Sequence, residues 1–340
     1  MSDKVKCKLF VGPPGCGKSY IAEMFRKDGW KIFSSDYYRF LVSGDENNQA
    51  CTQEAFTRLY KDMRESLISG ENCILDATNI NIKDRARVFN QLQGIPNLEM
   101  EAYIINTPIS VCIERDKFRD RTVGVDVIMK IVGKFQCPQY FEGFSKIEFH
   151  YAIDEMKQNS SAALVQQAML VMDQENPHHI HTLGEHCKRL ASNYDRESIW
   201  YRAGLWHDVG KLFTQTHDSQ HIAHYYSHDN FGAWYLCSFP EWNNDLSVDD
   251  FLKLVCVVNY HMNFHKDWRI DKYRKLFGDS LYEEMIQFAE YDKEASGTEA
   301  IHADIMRMQK ELFMELDDIR NSDIWRRNAE KKSQKVIYNH

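Results

Sequence analysis

Two groups of residues in this 340-residue chain have the types and spacing for phosphate chemistry. In VGPPGCGKS, Val11 to Ser19, the residues Gly12, Gly17, Lys18 and Ser19 fill the pattern GxxxxGK[ST]; an apolar run, Val5 to Val11, precedes it and a helical pattern follows. Glycines in such a loop, Gly15 among them, let backbone N–H groups curl around phosphate oxygens, and the following helix points its positive end at them. Lys18 is then expected to reach the β- and γ-phosphates of ATP while the Ser19 hydroxyl takes a place on Mg2+. The second group is a crowd of histidines, because ten of the 14 in the chain fall between His178 and His261. At its centre the adjacent pair His207–Asp208 can reach one metal from a helix, with Asp208 free to bridge to a second. Imidazole and carboxylate suit Mn2+, Fe2+, Co2+, Ni2+ or Zn2+. A helical bundle with capped, satisfied histidines is the structural alternative.

The elements that must hold these groups alternate in the first half of the chain. Ile21, Met24 and Phe25 have the spacing of a helix packed on a sheet, and Gly29 stands at its end. Lys31 to Ser34 reads as a second strand, which puts Asp36 at the carboxyl end of a strand, where open α/β sheets bind ligands. Three residues on, Arg39 shares a helical face with it: one side chain can take a proton, the other can hold an anion, or the pair is an N-cap and a surface arginine. Gln53 to Ser69 is helical, Asn72 to Leu75 is a strand ending in Asp76 within DATN, Asn81 to Leu92 is helical, Glu99 to Asn106 is a strand, and Lys146 to Tyr151 is the last strand. Asp76 has the position of a Walker B acid that orients a Mg2+-bound water, or it caps the next helix. Arg115, Arg119 and Arg121 recur at helical spacing in IERDKFRDRTVGVDVIMKIVGKF, as expected of a lid over the triphosphate or of a surface helix laced with ion pairs. This order implies an α/β domain with a parallel sheet and helices on both faces. From residue 151 strands stop, Ser160 to Met172 and Glu299 to Arg320 read as helices, and the second half is expected to be all-α.

Composition excludes several classes. Hydrophobic residues at 43% and charged residues at 27% are ordinary globular values. No apolar run has the length of a membrane span, and MSDKVKCK lacks the apolar core of a signal peptide. Nine cysteines scattered without a CxxC pair fit reduced thiols, so a cytoplasmic location with no membrane is the expectation. Residues 1–150 carry 21 Lys+Arg against 20 Asp+Glu, and 151–340 carry 21 against 30. A net charge of −8 disfavours bulk attraction to long duplex nucleic acid but leaves room for a short end or a mononucleotide held by a few arginines. The last sixteen residues, with five Lys/Arg and one Glu, form a basic tail.

Taken in order, GPPGCGKS, the pair Asp36 and Arg39, DATN, and Arg115 with Arg119 resemble the phage-type polynucleotide 5′-kinase family over the first half of the chain. That resemblance implies Asp36 as general base for an acceptor 5′-OH, Arg39 as the grip on the acceptor's 3′-phosphate, and Arg115 and Arg119 as lid arginines. The chain departs from the family in reading SSDYYR, where a more charged approach to the pair is expected. From Asn176 to Ser296 the order His186, His207, Asp208, Asp292, with Lys211 completing HDVGK, resembles the HD phosphohydrolase superfamily. NPHH, HYYSHDNFGA and NYHM are similar to the HD region attached to bacterial CCA-adding enzymes, where His228 and His261 match further histidines that serve a second metal or the substrate. His178, His179, His181, His217, His221 and His224 are read as surface or second shell.

The expected organisation is a kinase-like domain at 1–152, an HD domain at 153–320 and the basic tail at 321–340. The expected function is the healing of nucleic-acid ends: ATP-dependent 5′-phosphorylation and metal-dependent hydrolysis of 3′-phosphate or 2′,3′-(cyclic) phosphate. RNA ends are favoured over DNA, since 2′,3′-phosphates are RNA chemistry, and a separate ligase is a partner this implies. The rivals are a nucleoside or nucleotide kinase fused to an HD nucleotidase, and a nucleotide-sensing interaction module.

Overall fold

The computed structural model describes residues 4–119, 122–151, 162–176, 179, 181–238, 245–265 and 270–296. The expected helix Glu299 to Arg320, the basic tail, Arg121 and His178 lie outside the described residues. The chain divides into two units: residues 1–124 with 138–152, and residues 125–137 with 153–340.

In the first unit five parallel strands, β1 (Val5–Val11), β2 (Lys31–Ser34), β3 (Cys73–Asp76), β4 (Leu98–Asn106) and β5 (Lys146–Tyr151), lie in the order β2-β3-β1-β4-β5. Leu9, Phe10 and Val11 of the central β1 are completely buried, as are Ile74 and Leu75 of β3, which is why these strands read as continuous apolar runs. The helices α1 (Lys18–Lys27), α2 (Ser35–Ser43), α3 (Thr52–Ile68), α4 (Ile82–Leu92) and α5 (Ile109–Lys117) supply the crossovers. Neighbours β3 and β4 flank β1 on opposite sides, so the loop after β1 sits where the strand order reverses, the usual place for a ligand in an open sheet. Charge inside this unit is paired. The guanidinium of Arg85 on α4, fully buried, takes both carboxylate oxygens of Glu142 at 2.8 Å, and donates to the Asn79 carbonyl at 3.0 Å.

The second unit is mainly helical: α6 (Val125–Val132), α7 (Ala162–Val171), α8 (Leu183–Ala191), α9 (Ile199–Trp206), α10 (Lys211–Thr214), α11 (His228–Ser238), α12 (Val248–Tyr260) and α13 (Ile270–Ala295). It is not all-α as expected, because β6 (Gln215–His217) and β7 (Ala223–Tyr225) form an antiparallel pair. Asp218 makes the turn between them, its carboxylate accepting from the backbone of Gln220 at 2.8 Å and Ile222 at 3.0 Å. The strands are three residues each, too short to show a period-two pattern in sequence.

Residues 125–137 also depart from the linear domain boundary at 152. The ring of Phe135 meets Trp234 of α11 edge-on at 4.9 Å. Asn259 of α12 accepts from the Cys137 N–H at 2.9 Å and donates to the Phe135 carbonyl at 2.9 Å, and Asn230 donates to the Gly133 carbonyl at 3.0 Å.

Candidate active sites

At the carboxyl end of β1 the loop bends through Gly15 at φ 81° and Gly17 at φ 103°, a region that side chains avoid. A Cβ on Gly15 would lie 2.2 Å from the Cys112 carbonyl oxygen, so the loop needs glycine there for space as well. The Lys18 ammonium donates to the carbonyls of Gly12 at 3.0 Å and Pro13 at 2.8 Å, across the concave side of the loop. Ser19 donates its hydroxyl hydrogen to Asp76 Oδ2 at 3.0 Å. That couples the first turn of α1 to the end of β3, the hydroxyl-plus-acid arrangement that holds Mg2+ in P-loop proteins. Burial pushes the Asp76 carboxyl above its ordinary range, while Lys18 and the Ser19 hydrogen bond pull it back.

The register of the sheet decides where Asp36 falls. Ser34 pairs with Asp76, so β2 and β3 end level and Asp36, in the first turn of α2, stands beside the Ser19–Asp76 pair. Asp36, Lys18 and Arg119 all lie close enough to act electrostatically on Asp76. Asp36 is 42% exposed; Arg39 is buried, pairs with the Asp36 carboxylate, and donates through Nε to the Glu46 carbonyl at 2.8 Å. In this arrangement Arg39 fixes the orientation of Asp36. Arg115 reaches the loop itself, Nη1 to the Cys16 carbonyl at 3.4 Å. Arg119 is 3.8 Å from Asp116, whose buried carboxylate accepts from the backbone of Val123 and Gly124 at 3.0 and 2.9 Å and so ties these two residues to α5.

In the second unit six side chains converge in two groups of three: His186, His207 and Asp292, and Asp208, His228 and His261, all buried. Asp208 joins them. Its Oδ2 lies 3.4 Å from His186 Nε2 and 3.3 Å from His207 Nε2, and its Oδ1 lies 3.0 Å from His228 Nε2 and 3.5 Å from His261 Nε2. Asp292 Oδ1 closes the first group at 2.9 Å from His186 and 3.4 Å from His207. Three of the imidazoles are fixed from behind by carbonyl oxygens, which can only accept: His207 Nδ1 to Gly204 at 2.9 Å, His228 Nδ1 to Tyr225 at 2.7 Å and His261 Nδ1 to Val258 at 2.8 Å. Each Nδ1 therefore carries a proton, so that in the neutral form of each ring Nε2 offers a lone pair. Yet Nε2 of His186 faces Nε2 of His207 at 3.2 Å, and Nε2 of His228 faces Nε2 of His261 at 3.3 Å. At most one proton fits between the members of each pair, and carboxylate oxygens crowd the same two points. Acceptors converging in this way fit divalent cations, with imidazole and carboxylate ligands of the borderline kind.

Electrostatics keep both carboxylates ionised. Burial opposes charge on Asp208, but Lys211 and then His207 hold its carboxyl well below the usual range. Asp292 is likewise held far down against its burial, by His207 first. Burial lowers His261, whereas in His207 the two carboxylates overcome burial and raise it strongly. Lys211 Nζ donates to Asp208 Oδ2 at 2.7 Å and to Gln174 Oε1 at 2.8 Å, with the Tyr225 ring 5.4 Å away. Gly210 explains the glycine of HDVGK: a Cβ there would lie 1.9 Å from the His228 carbonyl oxygen.

Among the described residues, Lys18, Ser19, Asp36, Arg39, Asp76, Arg115 and Arg119 lie around the loop after β1, and His186, His207, Asp208, Lys211, His228, His261 and Asp292 lie together in the second unit; Arg121 is outside the described residues. Reading the sequence missed Thr107, whose hydroxyl donates to the Cys16 carbonyl at 2.8 Å and braces the loop. It missed Asn79, held at φ 43° with its amide donating to the Phe10 carbonyl at 2.8 Å, although DATN was singled out. It also missed Gln174 and His265, the latter bonded to Asp292 Oδ2 at 2.7 Å. Of the histidines set aside, His181 is buried, while His179 lies 3.5 Å from Lys211 Nζ, with burial driving its pKa down to about 3. His217 pairs with Glu175 at 2.7 Å and His224 with Asp218 at 3.0 Å, both partly exposed.

Strand order, glycine loop and the Ser19–Asp76 pair define the first unit as a kinase-like P-loop nucleotide-binding domain. A family model described as an AAA domain matches residues 8–138, and no curated protein matches the chain. Among solved structures, a chain of a Pnkp1/Rnl/Hen1 complex is similar at 21% identity and TM-score 0.31, over 34% of this chain and 40% of that one. A chain of the Pnkp1/Rnl/Hen1 RNA repair complex is similar at 20% identity and TM-score 0.36, over 39% and 45%. A gluconokinase from Sinorhizobium meliloti is similar at 15% identity and TM-score 0.30, over 42% and 81%. The chain thus spans less than half the length of the two repair-complex chains. Among the described residues no helix is long and apolar enough to cross a membrane.

Proposed function

We propose that this chain heals nucleic-acid ends, with RNA favoured: the first unit phosphorylates a 5′-OH from ATP, and the second is an HD-type phosphohydrolase for 3′-phosphate or 2′,3′-(cyclic) phosphate ends. For the kinase, the observation that carries the reading is Asp36, two residues beyond the Ser34 that pairs with Asp76, lying with Lys18 close enough to act on the Asp76 carboxylate that Ser19 bonds. A phosphate-binding scaffold has no use for a half-exposed carboxylate there; a kinase needs one to take the acceptor's proton. The Asp36 carboxylate accepts that proton as the 5′-oxygen attacks the γ-phosphorus, the bond from the β–γ bridging oxygen breaks, and ADP leaves. Lys18 and Arg119 balance charge on the transferring phosphoryl oxygens, Arg115 with the loop amides holds the nucleotide, and Ser19 with Asp76 would hold Mg2+, which would supply further charge neutralisation.

For the hydrolase, the two facing Nε2 pairs carry the reading. Divalent cations held by His186, His207, Asp292 and by Asp208, His228, His261 would activate water and neutralise phosphate oxygens. Lys211 stands against Asp208, where it can meet a substrate phosphate. The test is to incubate the protein with labelled ATP and, separately, a 5′-OH oligonucleotide, a 3′-phosphorylated oligonucleotide and free nucleosides, with and without Mn2+, Co2+ or Ni2+. Transfer to the oligonucleotide and metal-dependent phosphate release are the expected outcomes. Transfer to nucleosides in preference to oligonucleotides would assign the chain to the monomer kinases instead.

A further inference from the structure

We propose that the exposed aromatic face of α2 is a stacking platform for the bases of a single-stranded acceptor, so that the kinase unit recognises its nucleic acid by ring contacts rather than by a basic groove. This rests on the 5′-kinase reading above and names the acceptor's form. On α2, Tyr37, Phe40 and Leu41 are 56%, 53% and 40% exposed, three apolar side chains of one short helix left in water together. Their spacing of three and four residues places them on one face of the helix. Asp36, 42% exposed, lies one helical turn before Phe40, so the exposed face adjoins the proposed acceptor site. The next ring inward is fixed: Tyr38 is buried, stacks on Phe33 at 6.4 Å and donates its hydroxyl hydrogen to Asp62 at 2.8 Å. Tyr37 meets it edge-on at 5.9 Å, which supports one exposed ring against a rigid neighbour.

Charge favours this occupant over a duplex. Residues 1–150 carry 21 Lys+Arg against 20 Asp+Glu, no basic excess, and Arg39, the cation closest to Asp36 in sequence, is buried and tied to Asp36 and the Glu46 carbonyl. Binding by many phosphate contacts is therefore weak, whereas stacking on aromatic rings is tolerant of sequence and independent of net charge. A strand end offers its first bases as it brings its 5′-OH to Asp36; a duplex end keeps them stacked on each other.

The experiment measures KM for a 5′-OH oligonucleotide, a 3′-mononucleotide and ATP in wild type, Tyr37→Ala, Phe40→Ala, the double variant and Tyr37→Phe. Both side chains are exposed, and circular dichroism and KM for ATP check that the unit is intact. Expected is a rise of about 5- to 100-fold in the oligonucleotide KM for each alanine variant, recovery in Tyr37→Phe, and loss in the double variant of the preference for oligonucleotide over mononucleotide. A single-stranded acceptor should be preferred to a blunt duplex, with KM only weakly dependent on salt. An unchanged oligonucleotide KM in the double variant overturns the platform while leaving the kinase reading standing. Wild-type protein that phosphorylates no 5′-OH acceptor overturns that reading itself. A dimer in sedimentation that dissociates in the double variant, with acceptor KM unchanged, assigns the face to a second copy of the chain and overturns the proposal.

Discussion

At Asp36 one oxygen separates a base from a spacer. Asp36→Asn keeps the side chain's shape and its place opposite Arg39 but removes the proton acceptor, and positioned carboxylates contribute about 10² to 10⁴ in rate. Turnover with a 5′-OH oligonucleotide should fall by about that factor, while the affinity for ATP, held by Lys18, Ser19 and the loop, stays near normal in a direct binding titration. Unchanged turnover would remove Asp36 from the chemistry. Asp208 is a second single-residue test, because its two oxygens reach into both three-residue groups. Asp208→Ala should strip bound transition metal from the purified protein, read by elemental analysis, and abolish phosphate release with it; retention of wild-type metal content would contradict the bridging role. These residues were legible in the sequence because their chemistry is bound to their type and their motifs are local. Thr107 and His265 were not: each acts through one hydrogen bond to a partner 91 and 27 residues away, and nothing in a threonine or a lone histidine announces a distant partner.

Between elements, the turn carrying His207 and Asp208 lies tightly against the start of α11. Gly210 makes it possible, since a Cβ would sit 1.9 Å from the His228 carbonyl oxygen and 2.7 Å from the Gly232 nitrogen. Both are backbone atoms, so nothing swings aside. Gly210→Ala should force α11 away from Asp208, costing about 1 to 3 kcal/mol or more in stability and impairing the His228–His261 group before the His186–His207–Asp292 group. Thermal unfolding and metal stoichiometry together check this; wild-type values in both would mean that the turn yields without moving the helix. Most elements of the P-loop unit were readable from apolar runs and turn residues, because a parallel sheet buried on both faces leaves little ambiguity. The β6–β7 pair was not, since three residues per strand carry no periodicity and their pairing depends on the Asp218 turn and on Glu175, whose carbonyl accepts from Ala223 at 2.9 Å.

For the molecule as a whole, the P-loop residues all belong to the unit of residues 1–124 and 138–152, and the histidine–aspartate cluster belongs wholly to the other. Lys18→Ala should therefore abolish transfer from ATP and leave metal-dependent phosphate release intact; loss of both activities in folded protein would show that the two sites are not independent. The units are not, however, the two halves of the chain. A boundary at 152 follows from the sequence because the strands end there, and α6 with its apolar VDVIMKIV reads equally well as the continuation of an arginine-bearing lid. Packing decides otherwise. Residues 125–137 bring Ile128, Val132 and Phe135, all fully buried, to the second unit, and supply the backbone groups that satisfy both ends of the Asn259 amide. A fragment of residues 153–340 would lack that segment, open a cavity beside Trp234 and leave the buried Asn259 without the Cys137 N–H and the Phe135 carbonyl. Loss of a buried phenylalanine alone costs about 3 to 5 kcal/mol, and an unsatisfied buried amide about 1 to 3 more, against a total stability of about 5 to 15 for a typical protein. The fragment 153–340 should accordingly be partly unfolded or aggregate at room temperature, and a fusion of residues 125–137 ahead of 153–340 through a short flexible linker should restore cooperative unfolding by circular dichroism and metal retention. If the bare fragment already unfolds cooperatively at the temperature of the fusion, residues 125–137 are dispensable to that core.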